Sequence, residues 1–243
     1  NMAGLKQGIG LNIRPFLASS LLHTKSTGDD DFDLEPGLDI FYNITPSLKF
    51  SGRINTDFGE TEVDARQISL DRFSLFFPEK RSFFLEDAGV FDFASTVPKG
   101  PPGSPDADAD IIPFFSRRIG LFRGSEVPID VGAKMTGRVG QAEVGFLGIL
   151  TGETTLDDNG NPVLVEGKNF FVVRVKQNFW EESYIGGIFT YGDPTPDQSS
   201  KTYGADVTLS TSQFLGYPRN FLLSAFGLKS GNDLVSEDDM AFG

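Results

Sequence analysis

The side chains best equipped for chemistry are concentrated in one stretch of the chain. Glu60, Asp64, Arg66, Asp71, Arg72, Glu79, Lys80, Arg81, Glu86 and Asp87 are interleaved with Phe73, Phe76, Phe77, Phe83 and Phe84, and Arg117 with Arg118 follows. Mixed charge of this density can line a constriction, where charged side chains select what passes. It can equally pair internally and fasten one segment to another. Charges taken out of water persist only when paired and hydrogen-bonded, and the planar fork of Arg matches a carboxylate. The pairing reading is therefore preferred. It gives a lumen-side network of Glu60, Asp64, Arg66, Arg72, Glu79, Lys80, Arg81, Glu86, Arg117 and Arg118.

Other candidates fail on spacing or on number. Asp157, Asn159 and Asn161 match the first three ligand positions of an EF-hand loop, but Pro162 stands where the turn glycine belongs and Lys168 where the bidentate Glu belongs. Asp106, Asp108 and Asp110 alternate in a Pro/Gly-rich linker and read as solvated acids. A single histidine, His23, rules out a multi-His zinc site, and the absence of Cys rules out thiolate ligands and nucleophiles. Acids are plentiful enough for a glycosidase pair, yet none sits in an apolar strand pocket that would raise its pKa. The expectation is no catalytic residue, no cofactor and no metal. A formal charge of −13 argues against nucleic acid as a partner.

The elements that must position these residues are strands. Ile9, Leu11, Ile13 and Leu17 alternate with Lys6, Gly8, Gly10, Asn12 and Arg14, a period of two that a helix cannot keep. Leu38 to Ile44 and Leu48 to Asn55 form a pair around Thr45-Pro46-Ser47. Ile129, Val131, Ala133, Met135 and Val139 alternate with Asp130, Lys134, Thr136 and Arg138, and Gly140 turns the chain into Ala142, Val144, Phe146 and Leu150. Further runs cover Asn169–Asn178, Tyr184–Tyr191, Lys201–Ser210 and Asn220–Leu228, with another beginning near Asp239. With 24 Phe and 28 Gly but only 39% apolar residues, these strands have one greasy and one wet face. No run approaches the roughly 18 apolar residues of a membrane-spanning helix.

Link lengths alternate. Thr45–Ser47, the turn at Gly140, Phe179–Ser183 and Thr211–Arg219 are the shorter set; Ser19–Pro36, Thr151–Lys168, Gly192–Ser200 and Ser230–Asp238 are long and acidic. Short turns at one end and long loops at the other are a habit of outer-membrane barrels. Runs of about 10 residues suit a tilted bilayer crossing better than the 5 or 6 usual in a soluble sandwich. Trp180 and Tyr184 flank a short turn, where they are expected to anchor at a membrane interface. Three regions follow: first barrel strands over 1–57, a charge-rich insert over 58–128, and further strands over 129–243. The chain opens on Asn1-Met2-Ala3-Gly4 and stops mid-pattern at Met240-Ala241-Phe242-Gly243, so it reads as an excerpt ending before closure.

Two stretches carry a family resemblance. NTDFGETEVDARQISLDRFSLFFPEKRSFFLEDAGVFDF at Asn55–Phe93 and PFFSRRIGL at Pro113–Leu121 resemble the bacterial family called domain of unknown function 5916. GAKMTGRVG at Gly132–Gly140 and VVRVKQNFWEESYIGGIFT at Val172–Thr190 extend the likeness, which covers roughly residues 36 to 243. The resemblance implies an outer-membrane β-barrel module, often preceded by a carbohydrate-binding module similar to family nine. No such module is present in these residues, and the family supplies no catalytic residue to carry over.

The expected fold is all-β: an antiparallel up-and-down transmembrane barrel, partial and open in this stretch, with a plug-like insert. The expected function is non-catalytic passage or surface binding at the cell outer membrane. Its partners would be outer-membrane lipid and, through the neighbouring module, glycans. Two alternatives stand beside it, a membrane-anchored glycoside hydrolase-like surface protein and a soluble β-sandwich or adhesin module.

Overall fold

The computed structural model describes residues 10–24, 29–56, 79–95, 111–122, 125–158, 161–180, 183–195, 198–213, 216–233 and 238–243. Ten strands carry the architecture: β1 (Leu11–Thr24), β2 (Asp29–Thr45), β3 (Leu48–Thr56), β6 (Ile129–Val139), β7 (Ala142–Thr151), β10 (Asn169–Phe179), β11 (Ser183–Tyr191), β12 (Ser200–Thr211), β13 (Phe221–Asn232) and β14 (Asp239–Phe242). They lie side by side in that order, every neighbour antiparallel. Two hairpins stand apart, β4 (Leu121–Phe122) with β5 (Ser125–Glu126) and β8 (Thr154–Asp158) with β9 (Asn161–Val165). The all-β antiparallel expectation holds. Among the described residues β1 and β14 end the row unpaired with each other, so the sheet is open and no closed barrel is seen.

Register makes the two faces explicit. Leu11, Tyr42, Phe50, Met135, Phe146, Val173, Phe189, Tyr203, Lys229 and Met240 form one unbroken lateral row across all ten strands. Because strand side chains alternate, the row one step along belongs to the opposite face: Asn43, Lys49, Thr136, Gly145, Arg174, Ile188, Gly204, Leu228 and Ala241. The first face is open and overwhelmingly apolar, with Ile185 54% and Tyr203 53% exposed. The second face is covered over its centre.

The cover is the segment between β3 and β6. Its described part holds one helical turn, α1 (Ser82–Leu85), and 3-10 turns at Ala88–Phe91 and Ser116–Arg118. Phe83, Phe84, Phe93, Ala94 and Ile119 from this insert pack on Ile129, Leu147, Ile149, Phe170, Val172 and Ile188 from the sheet. The covered face is thus not uniformly wet, as simple alternation implies; its centre is a dry core that exists only because the insert lies on it.

Several expectations need correction. Ser19–Pro36 is not a loop, since β1 runs to Thr24 and β2 starts at Asp29, pairing Ala18 with Glu35 and Thr24 with Asp29. Thr151–Lys168 contains a hairpin, in which Asp157 faces Pro162 and Asp158 faces Asn161. The EF-hand-like residues Asp157 and Asn161 thus lie on paired strands rather than in a loop that wraps a cation; Asn159 lies outside the described residues. Alternation puts Ile129 on the same face as Val131, but an irregularity in register between them turns Ile129 into the covered core.

Candidate functional site

Side chains form three stations, one that braces the insert internally and two that hold it to the covered face. The first lies within the insert. Arg81 donates to Glu79 through Nε (2.9 Å) and Nη2 (2.8 Å), and to the carbonyls of Ile119 (2.7 Å) and Ser116 (2.8 Å). Ser116 Oγ donates to the same carboxylate at 2.7 Å, and the guanidinium sits 4.2 Å from the centre of the Phe84 ring. Burial would raise the Glu79 carboxyl, but the hydrogen bonds and charge of Arg81, with the Ser116 hydroxyl, outweigh it and hold the group below its ordinary value. The motifs FFPEKRSFFLE and SRRIG are therefore two halves of one clamp.

At the second station Lys134, 2% exposed, projects from β6 under α1. Its Nζ donates to the carbonyls of Phe83 (2.5 Å) and Glu86 (2.6 Å). A one-turn helix leaves its last carbonyls without partners, and a lysine beneath them supplies both a donor and a favourable charge. Thr136, two residues on, donates to Asp87 at 2.9 Å, and Lys49 lies 3.5 Å from the same carboxylate and 3.9 Å from Glu86.

The third station is the most enclosed. Arg174 on β10 is completely buried, and Nη1 and Nη2 donate to the two oxygens of Asp206 on β12 at 2.6 and 2.7 Å. The strand between them contributes Gly186, and a Cβ there would lie 2.7 Å from both Arg174 Nη1 and Asp206 Oδ1. A pair two strands apart closes only over a position without a side chain. The remaining capacity goes to the insert: Arg174 Nε donates to the Asp92 carbonyl (3.1 Å), and the Ala94 N–H donates to Asp206 (3.1 Å). Ala94 has φ +49°, a left-handed conformation uncommon for alanine; the hydrogen bond to Asp206 and burial against the core hold it there. Tyr184 Oη completes the shell at 3.0 Å.

On β1–β3 the cover is incomplete. An open cavity of about 650 Å³ separates α1 from these strands, lined by Asn12, Arg14, Phe41, Asn43, Arg53, Ser82 and Glu86, with Gly10 and Leu11 at its edge. Arg53 lies 3.3 Å from Asp39 and donates to Ser82 at 3.2 Å.

Of the network expected from sequence, the structure unites Glu79 with Arg81 and places Glu86 beside Lys49. Arg117 is buried in the second 3-10 turn, whereas Lys80 and Arg118 are exposed. Glu60, Asp64, Arg66 and Arg72 lie outside the described residues, as do Asp106, Asp108 and Asp110. Trp180 is 81% exposed at its turn, but Tyr184 points to the covered face and binds Asp206, so it is no interface anchor. Sequence reasoning missed Arg174. A visible signal existed, a lone arginine between Val173 and Val175 two strands from Asp206, with Gly186 between them.

The fold and these stations define an antiparallel β-sheet protein whose long insert is fastened across one face. Residues 8–97 match the model of the family described as Domain of unknown function (DUF5916), so the family recognised from the sequence motifs is sustained over that part of the chain. The matched stretch takes in β1 to β3 and FFPEKRSFFLE; SRRIG and the later motifs fall beyond it. No curated protein and no solved structure matches.

Proposed function

We propose that the chain forms part of an outer-membrane β-barrel that passes or binds hydrophilic solutes and performs no catalysis of its own. The single observation behind this reading is the open face. Ile13, Ile40, Ile54, Val173, Val175, Ile185, Tyr203 and Leu223 lie on it without a second sheet against them among the described residues, while Lys134, Arg174 and Asp206 are buried on the other side. In water such an arrangement is inverted, because large contiguous apolar patches are rare on soluble proteins. In a bilayer it is the expected one: lipid meets the apolar face, and polar groups turn inward. The strands also meet the length requirement: seven of the ten, β1, β2, β6, β7, β10, β12 and β13, have between 10 and 17 residues.

Against an enzymatic reading, four acids on the covered face or in the insert are engaged. Glu79 and Asp206 are each gripped by an arginine, Asp39 lies against Arg53, and Glu143 lies 3.6 Å from Lys176. The test is fractionation of cells expressing the intact protein. Recovery with outer membranes and release only by detergent is expected; recovery in the soluble fraction without detergent refutes the proposal.

A further inference from the structure

We infer that the cavity between α1 and β1–β3 is a site for a small hydrophilic anion, with Arg14 as its principal contact. The inference rests on the proposed membrane reading and adds to it a location and a ligand class. Among the described residues, the insert's hydrogen bonds to the sheet run to β3, β6, β10 and β12, and the cavity lies beside the covered side of β1 and β2.

The chemistry of that space turns on one arginine. Arg14 faces Asp39 directly in the β1–β2 register, yet the Asp39 carboxylate lies against Arg53 instead, at 3.3 Å. Arg14 is left stacked 5.1 Å from the Phe41 ring centre, with Nε donating to Asn12 at 3.3 Å. Among the described residues no carboxylate pairs with it. Stacking on an aromatic ring fixes the guanidinium plane without consuming the donors of its outer nitrogens. Asn12 and Asn43 add amides that can orient a bound oxyanion. The one acid in the lining, Glu86, lies 3.9 Å from Lys49. With Arg53 taken up by Asp39 and Glu86 beside Lys49, Arg14 is the one cation of the lining that has no carboxylate partner among the described residues. A fork of parallel N–H donors suits a carboxylate or phosphate group, and a volume of about 650 Å³ admits a small molecule.

The experiment uses the intact protein, purified in detergent and reconstituted in planar bilayers under a potassium chloride gradient, with inorganic phosphate as a competing anion. Arg14→Glu reverses a charge, and at roughly 1 kcal/mol per unit charge at contact in water this two-unit change is expected to lower the chloride-to-potassium permeability ratio by at least about thirtyfold and to abolish inhibition by phosphate. Arg219→Glu, the same charge change on the β12–β13 link, serves as control and should change neither. Equal responses of the two variants, or a membrane-inserted protein without conductance, overturn the inference while leaving the membrane reading intact. A protein that needs no detergent overturns that reading itself.

Discussion

Arg174→Met removes one half of the most enclosed ion pair and keeps most of the side-chain volume. In the parent protein the Asp206 carboxylate receives two charged hydrogen bonds from Arg174, one from the Ala94 N–H and one from Tyr184. The variant retains only the last two, with the carboxylate still buried, and the Asp92 carbonyl loses its donor. Breaking a buried pair by removing one partner costs about 3–5 kcal/mol. The loss falls on the insert, because both groups also bind its backbone. A cost of about 3 kcal/mol raises the open population of the insert roughly a hundredfold, which limited proteolysis of the detergent-solubilised protein reads as faster cleavage between residues 87 and 95. The double variant Arg174→Met/Asp206→Leu leaves no unpaired charge and should recover part of the loss, giving a coupling of about 1–3 kcal/mol in a double-mutant cycle. Additive effects, or unchanged cleavage in Arg174→Met, would refute the reasoning that the pair acts as one latch.

Three further outcomes are expected. Gly186→Ala places a Cβ 2.7 Å from each partner of the same pair and should accelerate insert cleavage without altering detergent extraction, about 1–3 kcal/mol being the usual cost of overpacking. Glu79 has its pKa depressed in the folded protein, below an ordinary value of 4.5; its contribution is complete above that value and lost as pH falls through the lower folded value. Protease resistance around the Glu79–Arg81 clamp should therefore persist through pH 4.5 in the parent, and Glu79→Gln should remove this acid dependence; an unchanged acid profile in Glu79→Gln sinks the assignment. Val173→Arg, on the open face, should cost about 2–4 kcal/mol if its strand position meets the middle of the bilayer, measured by denaturant titration in lipid vesicles, and a neutral result would count against lipid contact there.

The strands were legible because period-two alternation survives any context in which one face differs from the other. Val131, Met135, Tyr203 and Val207 fall on the open face, and Lys134, Asp206 and Thr208 on the covered one, as alternation requires. What misled was acidity: Asp29 to Glu35 read as loop, yet they extend β2, where β1 supplies backbone partners that no hydropathy pattern encodes. Insert docking was illegible for a related reason. Lys134 and Arg174 bind main-chain carbonyls of Phe83, Glu86 and Asp92, and a carbonyl is the same in every residue. The Glu79–Arg81 pair, two positions apart, could be suspected from sequence; its closure on Ser116 and Ile119 could not.

The strictly sequential strand order has a consequence for assembly. Each strand of the large sheet bonds only to strands adjacent to it in that order, and β2–β3 and β6–β7 are joined by just two residues. Such a sheet can grow hairpin by hairpin, with loop-closure entropy small at each step. The crossing from β3 to β6 is the exception, spanning 72 positions before the next rung forms. The slow event in folding should therefore be seating this long excursion, and the arginine and lysine stations are placed where they can guide it.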